Sequence, residues 1–175
     1  MKLNINLWQL MGFALTSLGG TFLHFLYELS GSAVWTASFS GINESTWEHM
    51  KLFFWPAFVY SVIESIFFRD RADFWCVKLK GTLLGLSLIP LLFYTYNGVI
   101  GKSPDWINIA IFFVAAAIAY AYETRKLKKE PDSCKSPKAA FLILCAIAVL
   151  FILFTFATPK LNIFKDPLTN TYRIQ

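Results

Sequence analysis

Long apolar stretches alternate with short polar or basic connectors along the whole chain. Residues 3–23, 81–100 and 139–158 carry no charged side chain. Each approaches or exceeds the ~20 residues needed to cross a ~30 Å hydrocarbon core. The stretch 107–122 is shorter, but Trp106 at one end and Tyr120 or Tyr122 at the other suit the two membrane interfaces. Residues 47–68 form a fifth stretch, with Glu64 near one end. None of the five has the continuous polar face that a surface helix of a soluble protein shows. The pattern predicts an all-α fold, a polytopic bundle of five transmembrane helices at about 5–29, 46–68, 74–97, 105–123 and 138–157. They form one domain, residues 1–158. The remaining 159–175 form a polar tail in which Phe164, Pro167, Leu168 and Tyr172 could dock on the bundle as a lid. A loose terminus is the alternative.

Composition removes the soluble classes. Of 175 residues, 56% are hydrophobic and only 15% charged, far from a soluble average. The first apolar run is too long for a typical signal sequence and no small-residue cleavage site follows it before His24, so it is expected to stay as a first helix. Cys76, Cys134 and Cys145 show no CxxC spacing and no even-numbered framework, and unpaired, inert thiols are expected.

The net charge of +5 gives orientation. Arg125, Lys126, Lys128, Lys129, Lys135 and Lys138 crowd one connector against Glu130 and Asp132, and Arg69, Arg71, Lys78 and Lys80 crowd another. The positive-inside rule puts both in the cytoplasm. The N-terminus with Lys2 is then inside, the segments 30–46 and 98–105 outside, and the tail outside. Basic residues flanking spans, without a nucleic-acid motif, call for no nucleic-acid partner. The expected location is the cytoplasmic membrane.

Small residues four apart allow close helix approach in lipid, as in Gly12, Thr16, Gly19 and Gly20, in Gly81 and Gly85, and in Ala115 and Ala119. Pro56 and Pro90 should bend their helices, each freeing a carbonyl.

Candidate chemistry concentrates at the outer ends of the first two helices. His24 and Glu28 are four residues apart and share a helix face, as do Glu44 and Glu48, and Ser45 and His49. Ser45 and Glu48 fit a capping box, Glu44 suits a helix N-terminus, and Glu48 with Lys51 is a simple ion pair. Even so, both histidines and three carboxylates meet at one depth, and ionisable groups at a membrane span point to function. Two chemistries fit. Two histidines and a carboxylate suit a divalent metal such as zinc, which activates bound water. Neighbouring residues point ~100° apart on a helix, so Glu48 cannot easily share a metal with His49. Glu28 or Glu44 is the better third ligand. The working assignment takes His24, His49 and Glu28 as ligands, with Glu44 and Glu48 in acid–base roles. The alternative is a metal-free His/Glu pair acting on a lipid-like, amphiphilic substrate. A small-solute transporter would want polar residues between Lys51 and Glu64, and few are present. A non-catalytic scaffold subunit, its cluster a cap and salt-bridge lock, is the third class.

The block Asn43-Glu44-Ser45-Thr46-Trp47-Glu48-His49, with residues 24–31 and the closing run 164–172, resembles a family of small bacterial multi-pass membrane proteins of unknown function. The resemblance spans the chain and implies bacterial origin and membrane residence. The ceramidase-like zinc hydrolases use three histidines. With His24 and His49 alone, that pattern cannot be completed here.

Overall fold

The computed structural model describes residues 4–172; Lys2 lies outside them. Five helices follow in up-and-down order: α1 (Ile5–Leu29), α2 (Thr46–Phe67), α3 (Phe74–Val99), α4 (Asp105–Leu127) and α5 (Pro137–Phe156). All five are long and apolar enough to span a membrane. Their starts are set locally. Asn4, Ser45 and Ser136 each accept a hydrogen bond from a first-turn N–H, and Pro137 follows its cap at the position where a missing N–H costs nothing. α1 stops at Gly31, whose φ of +68° lets Gly31 N–H reach Glu28 and Ser32 N–H reach Tyr27. Helix α4 continues four residues past the expected 123, to Leu127, because Arg125 and Lys126 sit favourably at the negative end of its dipole.

Helix α1 packs on α2 and α4, and α3 packs on α2, α4 and α5. Leu52, Phe53, Phe54, Ile89, Phe112 and Phe151 are among the large members of the shared core. Small residues decide where helices touch. The rings of Tyr60 and Tyr120 lie over Gly12, where a Cβ would collide with both. Gly20 comes against the carbonyl of Leu52, where a Cβ would stand 3.0 Å from the oxygen. That carbonyl belongs to the residue four before Pro56, so no helical N–H can satisfy it. The interior proline of α2 and the close approach of α1 therefore meet at one spot.

The connectors at the basic end are tied together. Arg71 donates to Asp73 and to the carbonyls of Lys126, Leu127 and Lys129, closing the C-terminus of α4. Asp73 also accepts from Asp132 N–H at 3.0 Å. Lys126, 2.7 Å from Asp132, holds that exposed carboxyl below its usual range by hydrogen bonding and by charge. The expectation of unpaired thiols is corrected here. Cys76 and Cys134 form a disulfide, with Cα atoms 6.2 Å apart, while Cys145 stays free. An odd count hides a pair, and 58 residues of separation leave no local trace of it.

At the opposite end the tail is docked. Phe164 packs tilted against Trp47 with ring centroids 4.6 Å apart, beside Phe154. Asp166 then closes a turn by accepting from Leu168 N–H and the Thr169 hydroxyl, both at 2.8 Å.

Candidate functional site

The start of α2 builds the first site. Asn43 accepts the N–H of Ser45, and Ser45 accepts the N–H of Glu48. Only half of the expected capping box forms, because the Glu48 carboxylate turns away from Ser45 and accepts from Ile42 N–H at 3.3 Å. Glu48 is buried and pairs with buried Lys51 at 2.6 Å. Lys51 in turn donates to the carbonyl of Ala37 and the hydroxyl of Thr155. The pair pins the connector carrying Glu44 onto α2 and α5.

With that connector fixed, Glu44 stands between the two histidines. Its two oxygens lie 3.6 Å from His24 Nε2 and 3.6 Å from His49 Nε2. The imidazole centroids are 6.0 Å apart. At 3.6 Å these are close approaches, too long for hydrogen bonds. His49 Nδ1 lies 3.0 Å from the carbonyl of Ser45. A carbonyl only accepts, so Nδ1 carries a proton and the lone pair of the neutral ring is at Nε2, facing Glu44.

Two cavities meet at this triad. A cavity of about 170 Å³ is lined by Phe25, Ile109, Phe112 and Phe113 together with His24 and His49. A second, of about 100 Å³, is lined by Tyr27, Glu28, Asn43, Glu44 and again His24. One is greasy and runs between α1 and α4; the other is polar and lies over the connector. Glu28 is exposed on the rim of the polar one, and Glu44 rather than Glu28 sits between the histidines. Among the described residues no group of three or more His, Cys, Asp or Glu side chains is placed to hold a metal ion.

The model of DUF6512, a family of unknown function, matches residues 1–174. The chain belongs to that family. No curated protein and no solved structure matches it.

This DUF6512 chain holds a second polar cluster, at the basic end. Lys78 of α3 is buried between Glu64 of α2, at 2.8 Å, and Glu123 of α4, in still closer contact. Gln9 of α1 donates to the other oxygen of Glu64. The rings of Tyr120 and Tyr60 flank the ammonium at 5.3 and 6.0 Å. Gly81 makes the space, since a Cβ there would collide with the Glu123 carboxyl. Sequence reasoning placed Glu64 near one end of its stretch but passed over Glu123 and Gln9. Glu123 sits one residue beyond an apolar run and two before the basic connector, so it reads as part of that connector. Counting depth from the basic end, which puts Glu64, Lys78 and Glu123 level, is the signal that finds it.

Proposed function

We propose that the His24–Glu44–His49 site is a membrane-embedded acid–base centre for an amphiphile, reached from the extracytoplasmic face of the cytoplasmic membrane. The apolar chain of the substrate lies in the cleft between α1 and α4, and its polar head meets the triad. One observation carries the reading: His24 lines both the greasy cavity and the polar one, and Glu44 bridges it to His49. A ligand that fills both spaces must be apolar at one end and polar at the other.

In this scheme His49 Nε2 takes a proton from a water or from the head group, and the carboxylate of Glu44 stabilises the imidazolium that results. His24, on the other side of the same carboxylate, returns a proton to the leaving or rearranged atom. Ester cleavage and isomerisation are the reactions such a pair can run. Glu48 acts indirectly, by holding the connector that carries Glu44.

The test uses an acyl ester carrying a photoreactive group on its chain, given to the protein in nanodiscs. Irradiation should label Phe25, Ile109 or Phe113, and turnover of the ester should fall by about 10²–10⁴-fold in His49→Gln. Labelling spread evenly over the lipid-facing helices, or turnover untouched in His49→Gln, would sink the proposal.

A further inference from the structure

The buried cluster at the basic end has no part in the chemistry above, and its charges do not balance. Every element packed around Lys78 bears on the count. Helix α2 contributes Glu64 and Tyr60, α4 contributes Glu123 and Tyr120, and α1 contributes Gln9. Phe74 of α3 adds only its ring. In α5 the cation, Lys138, is exposed. The phenols are already committed: Tyr60 donates to the carbonyl of Trp8 at 2.6 Å and Tyr120 bonds the Thr16 hydroxyl at 2.7 Å. One ammonium therefore faces two carboxyls, all three side chains nearly without solvent contact.

With both carboxyls ionised, a net negative charge would be sealed inside segments apolar enough to lie in lipid, a state that proteins avoid by neutralising the group. A proton on one carboxyl removes it. Gln9 carries no charge to balance the second carboxylate, and its buried Oε1 has no hydrogen-bond partner among the described residues. We propose that Glu64, Lys78 and Glu123 form an intramembrane proton-binding site that holds one exchangeable proton at neutral pH. Gln9 donates to Glu64, which suits an ionised Glu64, so the proton rests on Glu123. Uptake forms one O–H bond on a carboxylate oxygen, breaks one in the donating hydronium, and takes the cluster from one negative charge to none.

Infrared spectroscopy of the protein in nanodiscs reads this directly through the C=O stretch of a protonated carboxylic acid. The wild type at neutral pH should show such a band, shifted down in D₂O. Glu123→Gln and Glu64→Gln each leave a balanced Lys–Glu pair, so each should lose it. Lys78→Met leaves two neutral acids, and the band should about double. The two amide variants are nearly isosteric, so the test does not depend on Lys78→Met folding. A wild type without the band, or a band that survives in both amide variants, would overturn the proposal; survival would assign the proton elsewhere, Asp73, Glu48 and Asp166 being the other buried carboxyls. The outcome is independent of whether the His24–Glu44–His49 site turns over an ester.

Discussion

Glu48 shows what a residue type at a spacing can and cannot say. The sequence argument for it rested on a carboxylate sharing a helix face with Glu44 and lying beside His49. What distinguishes the two glutamates is environment: Glu44 is about a third exposed, between two imidazoles, while Glu48 is buried against Lys51. Such a pair is costly to break from one side, because the survivor is left charged and unpaired; the loss is about 3–5 kcal/mol. Glu48→Gln should therefore lower the melting temperature in detergent sharply, and Glu48→Gln with Lys51→Met should recover much of it. Glu44→Gln should cost little stability and lose turnover. If Glu48→Gln melts like the wild type but is inactive, Glu48 belongs to the chemistry and not to the scaffold. His24, Glu44 and His49 were legible in the sequence as a convergence at one depth. Which carboxylate stands between the histidines was not, since the path of residues 30–45 is set by long-range bonds such as Lys51 to Ala37 and Thr155.

At the scale of elements, three helices were legible because charge-free runs of spanning length have few alternatives in water or lipid, and the other two followed from apolar runs bounded by polar residues and interfacial aromatics. The ties between connectors were not. Arg71 reads as one more basic residue obeying the positive-inside rule, yet its guanidinium is the C-terminal cap of α4. The Cys76–Cys134 bridge joins the first turn of α3 to the connector between α4 and α5, at the end that the rule assigns to the cytoplasm, where disulfides rarely persist. Orientation and redox state are thus linked, and one labelling experiment reads both. If the basic end is cytoplasmic, rapid alkylation of intact cells with a membrane-permeant maleimide should label Cys76 and Cys134, and an impermeant reagent should label neither. Oxidation after purification should then close the bridge and raise stability by up to about 4 kcal/mol, the chain-entropy value for a loop of this size. A bridge already closed in freshly alkylated cells would argue that the basic end faces an oxidising compartment, and would turn the orientation over.

Across the whole molecule, one face of α1 touches both polar sites. Gln9, Gly12, Thr16 and Gly20 are buried on it, and His24 continues the same line. Gln9 meets Glu64, Thr16 meets Tyr120, and His24 meets Glu44, over about 22 Å of helix at 1.5 Å per residue. The sequence argument against a polar path looked along α2 between Lys51 and Glu64. The polar groups at mid-depth come instead from α1 and α4, through Thr16 and Tyr120, and only the packing reveals it. Phe112 interrupts this line. Its ring lies over Gly20, and it walls both the greasy cavity and a smaller one lined by Thr46, His49, Ile89 and Phe93. If the cleft between α1 and α4 is where a substrate chain lies, Phe112 limits how deep that chain reaches beside His49. Phe112→Leu should merge the two spaces and shift the preferred ester toward longer chains, at a stability cost below the ~3–5 kcal/mol typical of Phe→Ala. The measurement is turnover across a series of acyl esters of increasing length, wild type beside variant. A length profile that does not move, in a variant that remains folded, would mean that the chain does not enter between α1 and α4. The triad would then be served only from the polar cavity over Glu28 and Asn43, and the substrate would be a small polar molecule rather than an amphiphile.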